Sequence, residues 1–224
     1  MEGNIIDIKR FTIHDGYGIR STVFLKGCGL KCAWCHNPEG LENRIELWYL
    51  AGQCIRCGLC APACPHGALS YAPGGDPPFI RIDRWLCQHC GACVERCPTT
   101  ALSFDGQRLD SREVVEILLR DRPFYDQSGG GITLSGGDPL VQHRFAREIL
   151  AACHGAGVHT AIETCLQGSR EILEGFLPVT KLFIVDLKLA DGKLHREYCG
   201  QENAIIRGNY RFLSGLGVVL LTRG

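Results

Sequence analysis

Beyond about residue 105 the chain alternates between two textures. Short continuous apolar runs, 132–135, 158–162, 182–187 and 218–221, have the length and composition of buried strands. Between them, apolar residues recur at helical spacing. Val114, Val115, Leu118 and Leu119 predict a helix capped at Asp110-Ser111 and reaching Arg120. Phe145, Ile149 and Cys153 predict another over 140–154, stopped by Gly155 and Gly157. A short helix is expected at 169–177 and a longer one at 203–214. An earlier run, 21–26, reads as one more strand. Strands alternating with helices imply an α/β fold with a parallel sheet covered by helices. In such folds chemistry gathers at the carboxyl ends of strands. The polar and Gly-rich motifs all fall there: 28–35, 136–138, 163–164 and 186–188. The chain stops within or just after a strand, so a fragment or a partial barrel is expected.

Residues 51–104 break this pattern. They are rich in Cys, Pro and Gly, and they repeat. Cys54, Cys57, Cys60 and Cys64 stand in a C-x2-C-x2-C-x3-C-P-x2-A-L unit, and Cys87, Cys90, Cys93 and Cys97 in a second copy 33 residues on. A Pro/Gly loop at 73–78 separates them. This is the bacterial ferredoxin spacing, in which the fourth cysteine serves the other cluster. A third group, Cys28, Cys32 and Cys35, is C-x3-C-x2-C and offers only three thiolates. Three ligands leave one iron of a 4Fe-4S cluster open to a substrate. The expected organisation is therefore 1–50, 51–104 and 105–224: a first segment with the three-cysteine loop, a two-cluster insert, and the continued α/β domain.

Zinc is the competing reading of each run. Four-thiolate zinc sites usually pair two C-x2-C knuckles across a longer gap, unlike these runs. At the first run His36 is an available fourth ligand, but it is adjacent to Cys35, and zinc has no need of Trp34. The charge is balanced, 24 basic against 24 acidic residues, which gives no reason to expect nucleic acid or an anionic membrane as partner. No apolar run approaches a spanning helix, and the first residues lack the pattern of a signal peptide. Fourteen cysteines without such a signal point to metal in a reducing, oxygen-poor cytoplasm.

The C-x3-C-x2-C loop with an aromatic before its last cysteine resembles the signature of radical S-adenosylmethionine enzymes. Residues 11–20, Phe-Thr-Ile-His-Asp-Gly-Tyr-Gly-Ile-Arg, and the His36-Asn37-Pro38-Glu39-Gly40 stretch resemble a narrower group: the activating enzymes of glycyl-radical enzymes, in their form with a two-cluster ferredoxin insert. The resemblance implies a partial (β/α) TIM-type barrel of the radical S-adenosylmethionine kind, truncated at its carboxyl end, with a ferredoxin-like insert. It implies three 4Fe-4S clusters and bound S-adenosylmethionine. Cys28, Cys32 and Cys35 would hold the catalytic cluster, with Trp34 and His36 beside the cofactor. Gly136, Gly137 and Asp138 align with the family's Gly-Gly-Glu, so Asp138 would pair with the cofactor's ammonium group. Glu163, Thr164, Asp186, Leu187 and Lys188 would supply further contacts, Lys188 to the carboxylate and Asp186 to ribose or substrate. Tyr17 stands where the family usually has Pro, and Leu166 where it often has Gly. The family usually continues into further strands and a histidine that contacts the cofactor.

The implied reaction is reductive cleavage of S-adenosylmethionine to a 5′-deoxyadenosyl radical, which takes a hydrogen from a glycine of a partner enzyme. The insert would relay electrons from a flavodoxin or ferredoxin. Two other functions stay open at this stage: a radical S-adenosylmethionine enzyme acting on another substrate, and an electron-transfer module without catalysis. Cys153 is expected in the core, and Cys165 and Cys199 carry no assigned role.

Overall fold

The computed structural model describes residues 1–72 and 79–223, so the Pro/Gly loop at 73–78 lies outside the described residues. The chain forms two compact units, one of Met1–Arg44 with the stretch from Gln107 onward, the other Ile45–Gly106.

In the larger unit β1 (Glu2–Thr12) and β2 (Arg20–Leu25) precede the smaller unit, and β3 (Gln107–Asp110) follows it. Then come α1 (Ser111–Leu119), α2 (Arg122–Ser128), β4 (Gly131–Gly136), α3 (His143–Gly155), β5 (His159–Thr164) and α4 (Arg170–Glu174). The chain continues through β6 (Leu182–Asp186), α5 (Gly192–Cys199), α6 (Ala204–Gly215) and β7 (Leu220–Arg223). One sheet runs β7-β6-β5-β4-β2-β1-β3. Its neighbours from β2 to β7 are parallel. β1 is antiparallel to both β2 and β3, so the all-parallel expectation fails at this edge. The sequence reading also passed over β1, β3, α2 and α5. β1 mixes Asp7, Lys9 and Arg10 into its apolar residues and is broken by register shifts, which erases a clean alternation.

Period-two alternation sorts each strand onto two faces. Val23, Leu25, Ile132, Leu134, Ile162, Phe183 and Val185 face the helices and form the core with Val114, Leu118, Phe145, Ile149 and Cys153. The opposite face carries a register row of Thr22, Thr133, Ala161 and Leu182, then Phe24 and Ser135 in the next. This second face is polar at its centre. Arg20 is fully buried there, donating to Thr133 Oγ1 at 2.7 Å, the Ile132 carbonyl at 2.5 Å and the Tyr17 carbonyl at 3.2 Å. Burial brings its pKa down to about 10. Thr22 donates to Asp15 at 2.7 Å.

Helix ends follow local chemistry. Asp110 caps α1, accepting from Arg112 N at 2.9 Å while Glu113 accepts from Asp110 N at 2.9 Å. α3 begins at His143 rather than near 140, because Asp138 and Leu140 are engaged in a preceding turn.

The smaller unit keeps the repeat seen in the sequence. Leu47–Tyr49 pairs antiparallel with Leu102–Phe104, and Leu69–Tyr71 with Ile80–Ile82. The one-turn helices Cys60–Ala63 and Ala92–Glu95 carry the third cysteine of each run. Among the described residues no helix is long and apolar enough to cross a membrane.

Candidate active site

In the larger unit, the carboxyl ends of β2, β4, β5, β6 and β7 open into one cavity of about 480 Å³. That volume falls within the range of small-molecule sites. Cys28, Cys32, Trp34, Cys35 and His36 line it from the loop after β2. Gly136 and Gly137 come from β4, Glu163 and Thr164 from β5, and Asp186 and Lys188 from the end of β6. These predicted residues are thus brought together. Leu187 is outside the lining, consistent with its packing against the core.

The cysteine loop is framed by backbone. Gly27 N donates to the Gly40 carbonyl at 2.7 Å and Cys28 N to the Leu41 carbonyl at 3.0 Å, closing the loop at its base. Lys31 N and Ala33 N each donate at 2.8 Å to the carbonyls of Cys199 and Tyr198, at the end of α5. The glycines allow this approach. A Cβ on Gly137 would lie 2.2 Å from the Gly27 oxygen, and one on Gly136 2.3 Å from backbone atoms of Leu25.

Charges ring the cavity. Glu163 accepts from Ser135 Oγ at 2.7 Å and from Arg223 Nη1 at 2.5 Å. Arg223 also donates to the His14 carbonyl and stands 4.0 Å from Asp15. Lys188 pairs with Asp186; burial opposes its charge, but Asp186, with Cys32 and Cys165, raises its pKa. Burial, reinforced by Cys199, pushes the Cys32 thiol up to about 12. The neighbouring Cys165 thiol lowers Cys28, against the effect of burial. Asp15, Phe24, Asn37, Leu41, Ser135, Cys165 and Arg223 also line the cavity, though the sequence reading gave none of them a role. Strand alternation offered the signal for Phe24 and Ser135, which share the polar face with Glu163.

Asp138 stands beside the cavity rather than in its lining. Its side chain does not line the cavity and is 1% exposed. It accepts from Thr164 Oγ1 at 3.0 and 2.9 Å, Cys165 N at 3.0 Å, Cys165 Sγ at 2.9 Å and Leu140 N at 2.9 Å. Burial raises its pKa despite these donors. The shorter side chain turns inward and ties the end of β4 to the end of β5.

In the smaller unit the cysteines sort into two hollows across the repeat. Cys54, Cys57 and Cys60 share one with Cys97. Cys87, Cys90 and Cys93 share the other with Cys64. This is the exchange of fourth ligands that ferredoxin spacing implies. Among the described residues no three His, Cys, Asp or Glu side chains gather tightly enough to hold a single metal ion. A 4Fe-4S cluster places each ligand on a separate iron and needs no such convergence.

Residues 53–101 match the family model of a 4Fe-4S dicluster domain. The chain is 42% identical over 215 residues to the benzylsuccinate synthase activating enzyme of Thauera aromatica, covering 95% of this chain and 65% of that protein. It is 40% identical over 214 residues to the trans-4-hydroxy-L-proline dehydratase activating enzyme of Clostridioides difficile, covering 95% and 70%. It is 38% identical over 212 residues to the choline trimethylamine-lyase activating enzyme of Oleidesulfovibrio alaskensis, covering 93% and 67%. The chain therefore spans about two thirds of the length of these curated relatives. With such identity across both units, the chain belongs to the activating enzymes of glycyl-radical enzymes.

Proposed function

We propose that this chain generates the radical on a partner glycyl-radical enzyme, using S-adenosylmethionine and three 4Fe-4S clusters. One observation carries the reading: adjacent strand ends deliver three thiols, a bare Gly-Gly backbone and a ring of both charges to one cavity. The cluster and S-adenosylmethionine, when bound, supply reductive cleavage of a carbon–sulfur bond to a radical that takes hydrogen from glycine. The chain's residues hold and orient. Cys28, Cys32 and Cys35 hold the cluster with one iron left open. Gly136 and Gly137 let the ligand approach backbone. Lys188 is placed for a carboxylate, while Glu163, Asp186 and Asp15 are the carboxylates that line the cavity, and an ammonium group or ribose hydroxyls would share them with Arg223, Lys188 and Thr22. Asp138 positions Thr164 and the loop after β4 from below. Trp34 and His36 border the ligand.

In this reading the larger sheet is a segment of a (β/α) barrel whose polar face is the inner one. The segments 1–50 and 105–224 make that barrel, and 51–104 the insert. The insert passes electrons from a flavodoxin or ferredoxin, in an oxygen-poor cytoplasm. Anaerobic reconstitution tests this. Eleven ligand cysteines imply about twelve iron atoms per chain. Changing Cys28, Cys32 and Cys35 to Ala should remove about four of them and all cleavage of S-adenosylmethionine. A folded protein that takes up zinc and no iron overturns the reading.

A further inference from the structure

The two hollows of the smaller unit are built by a repeat, and the repeat is broken in one direction. Positions 33 residues apart are equivalent, as Cys54 and Cys87 are. Tyr49, Arg96 and Thr99 line the hollow of Cys54, Cys57, Cys60 and Cys97. Their equivalents are Ile82, Ala63 and His66. Tyr49 brings a phenol hydroxyl to the hollow that holds the Cys54 sulfur. Arg56 N donates to the same sulfur at 3.4 Å. The Cys97 sulfur lies 3.9 Å from the Thr99 hydroxyl. In the other hollow, Cys64 accepts from Ala68 N at 3.3 Å, and the lining holds neither Arg nor Lys.

Hydrogen bonds to sulfur and nearby positive charge both favour the reduced, more negative cluster and raise its potential. Tyr49, Thr99 and Arg96 all act on the same side. We propose that the insert's clusters are unequal electron sites, and that the first electron to enter rests on the cluster held by Cys54, Cys57, Cys60 and Cys97. This rests on the two-cluster reading of the insert. The step is a one-electron reduction by an external low-potential donor, with no bond made or broken and no proton required.

The test uses the whole chain with Cys28→Ala, Cys32→Ala and Cys35→Ala, so that only the insert reports. Iron analysis comes first. About eight iron atoms are expected for two clusters, and a content far below that overturns the two-cluster reading itself. A potentiometric titration followed by electron paramagnetic resonance should then resolve two one-electron steps. Tyr49→Phe, Thr99→Ala and Arg96→Gln should each move the upper step down and leave the lower one in place. Ala63→Arg should move the lower step up, narrowing the gap from the other side. Arg96 and Ala63 are outside the small unit's core, so these two variants still report if Tyr49→Phe misfolds. A single step for both clusters overturns the inference, as do variants that shift both steps equally or neither.

Discussion

The larger unit buries one sheet face beneath helices with aliphatic and aromatic side chains. The smaller unit buries, among its described residues, Leu47, Leu69, Ile80 and Leu102 with two cysteines, Cys60 and Cys93, and packs three more cysteines, Cys64, Cys87 and Cys97, at the edge of that core. The side chains that would hold metal in the second unit are thus also its interior. In the first unit Cys28 and Cys32 only pack against the edge of a core that other side chains make. A unit of some sixty residues rarely has enough apolar core to fold alone, and metal binding then becomes folding free energy. On the proposed reading, iron would be structural in one region and a guest in the other.

Removing iron should expose the contrast most strongly. Iron-free protein should exchange amide hydrogens rapidly across 45–106 while β2, β4, β5 and β6 stay protected. Equal protection in both units would end the comparison. Within the larger unit, Asp138→Ala should cost about 3 kcal/mol, because it strands the buried donors of Thr164 and Cys165. Denaturant unfolding of the iron-free protein measures this without interference from clusters. Unchanged stability would mean the strand ends need no such tie.

A smaller effect is expected at Asp121. Its side chain is 1% exposed and accepts from Ser21 Oγ at 2.7 Å and from Arg10 Nε at 2.8 Å. The Arg10 bond, aided by Ser21 and opposed by burial, holds this carboxyl below its usual pKa of 3.8. A depressed pKa contributes stability above the unfolded value that is lost as pH falls through the folded one. Asp121→Asn should therefore cost about 2 kcal/mol at neutral pH, and the gap between the two melting temperatures should close below about pH 3.8. A gap independent of pH would remove the charge from the account. Smallest of all, Trp85 in the smaller unit is 95% exposed, and Trp85→Ala should change stability by less than about 0.5 kcal/mol. A larger loss would show that this unit relies on more than its cysteine core.

Much of this was legible in the sequence where periodicity is clean. β4, β5, β6 and α1 announce themselves by uninterrupted apolar runs or by a capping box. The cysteine sets were legible because ligand spacing is local. β1 was not, since charges and register shifts scramble its alternation. α5 was missed as well, although its last carbonyls brace the cysteine loop. The hydrogen bonds of Asp138 were not legible for another reason. A motif fixes which residue stands in a turn, but not whether its carboxylate faces the cavity or the protein. That choice depends on Thr164 and Cys165, some 26 residues further along. Arg223 and Asp15 meet only once β7 and the loop before β2 are folded together.

The backbone bracing of the cysteine loop separates the shape of the socket from its cargo. Bonds from Gly27 and Cys28 to Gly40 and Leu41, and from Lys31 and Ala33 to the end of α5, involve no sulfur. The frame of the loop therefore asks nothing of the three thiols, and a change at a cysteine can alter what the socket holds without removing the bonds that shape it.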